Sequence, residues 1–140
     1  LDLKDKYKLD NVHFVPFQSK KEILVWYQLA DLFVFPTRED IWGLVINEAL
    51  SQGVPVISTD KCIAALELIK NGYNGYIVKA NETNELLNST TKVFCSSQSE
   101  YNQVQLNCLG SIKKYSVENM ALIHFNLLNT FTRTNLKEVC

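Results

Sequence analysis

Two stretches of the chain are short, continuously apolar and without alternation: Leu32–Phe35 in DLFVFP and Val54–Ile57 in VPVIST. Unbroken apolar runs of this length predict parallel strands buried on both faces. Between them, GLVINEALSQG (Gly43 to Gly53) places Val45, Ile46, Ala49 and Leu50 at helical spacing, with Gly53 positioned as a terminator. Strand, helix and strand in that order predict one right-handed βαβ unit.

The alternation extends both ways. Val12–Val15 in NVHFVPF reads as a strand, and Lys20–Leu29 as the helix that follows. A helix is expected over about Ala64–Lys70, closed by Asn71-Gly72. The Asn74-Gly75 turn then leads into a strand at Tyr76–Val78. From Glu82 onward the pattern is helical, over Glu82–Phe94, Tyr101–Leu109 and Val117–Phe131, with Ser96–Ser99 as a loop. The expected fold is α/β: a doubly wound, Rossmann-like parallel sheet with a helical C-terminus, forming one domain over residues 1–140.

Composition narrows the function classes. A hydrophobic share of 46% and a charged share of 21% are ordinary for a globular domain. A net charge of -1, with arginine only at Arg38 and Arg133, gives no electrostatic case for nucleic acid. Cys62, Cys95, Cys108 and Cys140 show no paired metal-ligand spacing, and His13 and His124 lie far apart. The cysteines read as reduced thiols, and the expected setting is the cytoplasm. No stretch reads as a signal peptide or reaches the roughly 18 apolar residues of a membrane span. A start at Leu1 rather than methionine, among charged residues, suggests a piece of a longer protein.

Ligands of open parallel sheets bind outside the carboxyl ends of the strands. Here those ends are Phe17-Gln18, Pro36 through Trp42, and Ser58 through Cys62. The second is the most informative: PTREDIWGLVINEAL puts Glu39 and Asp40 in the loop, then Trp42-Gly43, then a helix carrying Glu48. A helix starting near Gly43 offers free N–H groups and a positive dipole end, and a glycine there lets an anion approach closely, so phosphate suits it. Glu48 could accept two vicinal hydroxyls, as on a ribose, and Asp40 could accept hydroxyls of a sugar beyond the phosphates. A plainer account stands beside this one: Asp40 as a helix cap, Glu39 solvated, Glu48 on a wet helix face.

The segment D-I-W-G-L-V-I-N-E-A-L resembles E-x-[FW]-G-L-V-x-x-E-A of family 4 retaining glycosyltransferases, which have the two-Rossmann-domain GT-B fold. Asp40 and Glu48 have that family's spacing of seven intervening residues, whereas Glu39 is one residue early, so either can take the first acidic role. Tyr27 to Thr37 (Y-x-x-A-D-L-F-V-F-P-T), Gly53 to Asp60, Asn71 to Val78 and Lys114 to Met120 extend the likeness over about residues 10–130. It implies the C-terminal, donor-binding domain, with Glu48 on the donor ribose and the Gly43, Leu44 and Val45 amides on the diphosphate. Asp40 or Glu39 would hold the transferred sugar, Phe17 and Gln18 the nucleobase, and Thr59 with Asp60 would line the next strand end.

The resemblance also implies a UDP-, GDP- or ADP-sugar donor and a glycan, lipid or polysaccharide acceptor bound through another domain. Peripheral association of the whole protein with the inner face of a membrane would follow from a lipid acceptor. The family's opening βα unit, with an Arg and a Lys for the diphosphate, has no counterpart before Asn11, so the isolated chain is expected to be inactive. No DxD-like metal motif falls in the relevant loop, and no metal is implied.

Other residues read as structural. Trp42 either stacks on the donor or anchors packing. Trp26 and Tyr27 are expected in the core, His13 inside a strand, His124 within the last helix, and Lys113-Lys114 at a solvated helix end. Cys62 lies near the cleft without an evident base. Two rivals remain: a GT-B nucleotide-sugar 2-epimerase using the same cleft, and a silent nucleotide-binding module.

Overall fold

A computed structural model describes residues 2–137 and the side chains of residues 3–130. It contains a three-stranded parallel sheet in sequential order: β1 (Phe33–Phe35), β2 (Val56–Thr59) and β3 (Gly75–Val78). The register pairs Phe33 with Val56 and Val56 with Gly75. Every residue of β2 is buried: Val56 and Ile57 are apolar, and the Ser58 and Thr59 hydroxyls donate to Phe35 O and Thr37 O.

The crossovers are α3 (Leu44–Ser51) and α4 (Ile63–Leu68). Two helices precede the sheet, α1 (Asp2–Tyr7) and α2 (Lys20–Leu29). After β3 come α5 (Thr83–Phe94), α6 (Gln98–Ile112), a single 3₁₀ turn at Lys113–Tyr115, and α7 (Val117–Lys137). The core joins Ile46, Ala49 and Leu50 of α3 to Val56, to Ala64, Ala65 and Leu68 of α4, and to Cys108 of α6.

The βαβ unit forms as expected, and its details explain the boundaries. Gly53 ends α3 in the left-handed conformation (φ 77°), with its N–H on the Leu50 carbonyl and that of Val54 on Ala49. This is a Schellman stop, and it commits Val54 to the helix end, so β2 begins at Val56 rather than Val54. At the end of α4, the buried Asn74 side chain accepts from Lys70 N–H at 2.8 Å and donates to Leu68 O at 2.9 Å and Ser111 Oγ at 3.1 Å. One satisfied amide thus stops α4 near Leu68 and ties it to α6.

Three expectations are corrected. Val12–Val15 does not form a strand; the segment is irregular, and its only backbone bond runs from Val12 N–H to Leu9 O. The described sheet runs β1-β2-β3, and Val12–Val15 pairs with none of its strands, so no ladder holds the segment extended. His13 is accordingly exposed in this irregular segment. Trp26 is not in the core but half exposed on α2, whereas its neighbour Tyr27 is buried. Ser96–Ser99 is mostly helix start, because Ser97 and Glu100 form a capping box that opens α6 at Gln98.

Among the described residues, Cys62, Cys95 and Cys108 are free thiols; Cys140 lies outside them. No described helix is long and apolar enough to cross a membrane.

Candidate functional site

The loop from Pro36 to Trp42 leaves β1 at its carboxyl end and is tied to the end of β2. Thr59 donates its hydroxyl to Thr37 O at 2.7 Å, and Asp40 N–H donates to Lys61 O at 3.1 Å. Thr59 is buried and committed to this strut. Glu39 is exposed, its backbone held by the Thr37 hydroxyl through both N–H and C=O. Asp40 is half-buried and turns back, its Oδ1 accepting Trp42 N–H at 3.0 Å. This is an Asx turn rather than a cap of α3.

Gly43 caps α3 instead, in the left-handed conformation (φ 87°) and without a side-chain hydrogen bond. A Cβ here would come within 2.5 Å of Cys62 Sγ, so glycine is required by that packing as well as by its φ. The expected reason for glycine, an anion approaching through the missing side chain, is not what this geometry displays. The amides offer the opening: Gly43, Leu44 and Val45 N–H have no partner among the described residues. Leu44 is exposed and Val45 half-buried at this positive helix end.

Trp42 anchors the turn. Its indole N–H donates to Asn47 Oδ1 at 3.2 Å, and its carbonyl accepts from Ala64 N–H at 2.8 Å and from the buried Cys62 thiol. The ring packs on the core cluster, which fits the anchoring role considered for it.

Glu48 is half-buried on α3 and accepts from the Tyr27 hydroxyl at 3.3 Å through Oε2. Burial first, and the negative Glu48 carboxylate second, push the Tyr27 phenol up to about 12. Glu48 lines a cavity of about 500 Å³ with Lys20 and Ile23 of α2, Asn47, Lys113 and Tyr115. A smaller cavity of about 180 Å³ opens at the carboxyl ends of all three strands, between Pro36, Arg38, Thr59, Lys79 and Asn81.

The structure therefore brings Asp40, Trp42, Gly43, Leu44 and Val45 into one turn, with Glu48 one and a half turns along α3. Phe17 and Gln18 do not join them. The Phe17 side chain is 98% exposed, and the Gln18 amide donates to Pro16 O and Phe17 O. Tyr27, read from sequence as a core residue only, is the polar contact of Glu48 that the pattern missed. Its burial was legible, but the direction of its hydroxyl carries no sequence signal.

Comparison with known proteins identifies the family and the fold. The family described as "Glycosyl transferases group 1" matches residues 2–106. An uncharacterized 41.2 kDa protein in the cps region of Klebsiella pneumoniae is 32% identical over 103 residues, 71% of this chain and 28% of that protein. The D-inositol 3-phosphate glycosyltransferase of Mycolicibacterium gilvum is 25% identical over 99 residues, 70% of this chain and 22% of that protein. The chain thus spans under a third of the length of either relative. Among solved structures, Anabaena Alr3699/HepE in complex with UDP superposes with a TM-score of 0.79 at 23% identity, covering 92% of this chain and 35% of that one. At that identity the likeness speaks for the fold. The chain belongs to the glycosyl transferases group 1 family.

Proposed function

We propose that this chain is the donor-binding part of a retaining glycosyltransferase of family 4, which moves a sugar from a nucleotide diphosphate sugar to a glycan, lipid or polysaccharide acceptor. The observation that carries the reading is the start of α3: three N–H groups without partners among the described residues at a positive helix end, with Asp40 in the turn before it and Glu48 on the same helix. Family membership and the likeness to a UDP-bound structure support a nucleotide donor.

In this reading the diphosphate lies against the Gly43, Leu44 and Val45 amides, which stabilise the charge that grows on it as the sugar departs. Glu48 accepts the ribose hydroxyls, and Asp40 or Glu39 accepts hydroxyls of the transferred sugar. Catalysis is then mainly positioning and electrostatic stabilisation. Phe17, exposed on the segment before α2, is free to meet a base, and Thr59 keeps the Thr37–Asp40 loop in register. The acceptor, and any membrane association it brings, belongs to the whole protein.

Calorimetry of the full-length protein against UDP-, GDP- and ADP-sugars tests the reading. One base should be preferred, and Glu48→Gln should weaken that donor by roughly tenfold, as expected for losing a charged hydrogen-bond partner. Absence of binding to all three would refute it. Donor that binds but is never consumed with any acceptor would favour a silent module, and epimerised sugar without transfer would favour a 2-epimerase.

A further inference from the structure

Glu48 has one side-chain partner among the described residues. Tyr27 reaches it from α2, twenty-one positions earlier in the chain, and donates its hydroxyl to Oε2 at 3.3 Å. The tyrosine is 4% exposed, and its ring sits edge-on to Phe33 with centroids 5.4 Å apart. A phenylalanine would fill the same space, so packing alone does not call for the hydroxyl. A buried hydroxyl does need a partner, and among the described residues its sole partner is the carboxylate.

Two consequences follow for Glu48. A glutamate on a half-buried helix face samples several rotamers, and a fixed donor from a neighbouring helix selects one of them. That contact occupies Oε2 and leaves Oε1 without a partner among the described residues, while Glu48 lines the cavity of about 500 Å³ between α2 and α3. With its phenol pushed up to about 12, Tyr27 remains a donor throughout the physiological pH range.

We propose that Tyr27 is a positioning residue of the donor site, its hydroxyl holding the Glu48 carboxylate in the orientation that accepts two vicinal hydroxyls of a ribose. This rests on the reading of Glu48 given above. It makes α2 part of the site through a contact that leaves the ligand itself untouched.

The test uses the full-length protein, calorimetry with UDP, GDP and ADP, and the 2′,3′-dideoxy form of whichever binds most tightly. Tyr27→Phe keeps the ring and its contact with Phe33. It should weaken the ribonucleotide about five- to tenfold and leave the dideoxy form within about twofold. Glu48→Gln should erase the preference for ribose over dideoxyribose. Melting temperature and circular dichroism confirm that both variants fold.

Equal weakening of both nucleotide forms by Tyr27→Phe would mark the tyrosine as merely structural and overturn the inference. Loss of ribose preference in Glu48→Gln with no change in Tyr27→Phe would overturn it too, leaving the Glu48 reading intact. Ribose preference surviving in Glu48→Gln, or no binding of any of the three diphosphates, would remove that reading and the inference with it.

Discussion

Residues 8–29 and residues 43–78 are comparably rich in apolar side chains, yet only the second stretch buries most of them. In the second, Ile46, Leu50, Val56 and Ile57 are fully covered. In the first, Phe14, Phe17, Val25 and Leu29 face outward, and Tyr27 alone is buried. The difference lies in the partners rather than in hydrophobicity. β2 has a strand on either side and helices against it, whereas Val12–Val15 has no ladder and α2 meets the rest of the chain along one edge through Tyr27, Ile23 and a Gln28–Gln52 contact. An apolar run states a tendency to be covered, and what covers it has to be brought by another element.

The harshest test of this contrast is Gly75→Ala. A Cβ there would land on the backbone carbonyl of Val56, at the first pair of the β2–β3 ladder. Neither strand can retreat without breaking the parallel pairing, so a loss of roughly 4 kcal/mol or more is expected, enough to unfold a marginal domain. Urea denaturation that leaves the midpoint unchanged would show that the two strands are not so tightly joined.

A matched pair of leucine truncations comes next. Leu50→Ala empties a site with no exposure and should cost about 2–5 kcal/mol. Leu29→Ala removes the same atoms from a side chain that is 72% exposed and should stay within about 0.5 kcal/mol. Similar losses for the two would mean that the first region is packed in solution, and the comparison would fall.

The same contrast explains how much was legible from sequence. The βαβ unit was readable because its signals are local and consistent: two short apolar runs, helical spacing between them, and a glycine where the chain must turn left-handed at Gly53. The capping box at Ser97 and Glu100 was equally local, but the serine-rich composition of Ser96–Ser99 masked it. Strand formation at Val12–Val15 was not decidable from the segment, since it depends on which strands lie beside it. At the site, the acidic spacing from Asp40 to Glu48 and the glycine at Gly43 could be read. The use of Asp40 on Trp42 N–H, the Cys62 sulfur against Gly43 and the Tyr27–Glu48 contact could not, because each joins groups whose meeting is set by packing.

The smallest expected effect is the cleanest, because the chain carries the same device in the first region and on a helix packed against the second. Ser19 with Glu22 opens α2, and Ser97 with Glu100 opens α6, each as a reciprocal capping box. In both, the serine side chain first and the serine backbone N–H second hold the glutamate below the ordinary carboxylate range. A carboxyl whose folded pKa is depressed stabilises the fold above its unfolded value of about 4.5, and that contribution is lost as pH falls through the folded value. Both boxes should therefore weaken below about pH 4.5, and Ser19→Ala or Ser97→Ala should each cost about 1 kcal/mol at neutral pH. The readouts should nonetheless diverge. α6 places Cys108 in the core, so weakening its cap lowers the global unfolding midpoint. α2 keeps half of its apolar side chains exposed, so weakening its cap should appear as faster amide exchange over residues 23–26 with a smaller change in the global midpoint. Residue-resolved hydrogen exchange at pH 7 and pH 4 on the two serine variants measures this directly. Equal global effects from both would show that the two regions unfold as one unit, and that the exposed apolar side chains of α2 do not mark a weaker attachment.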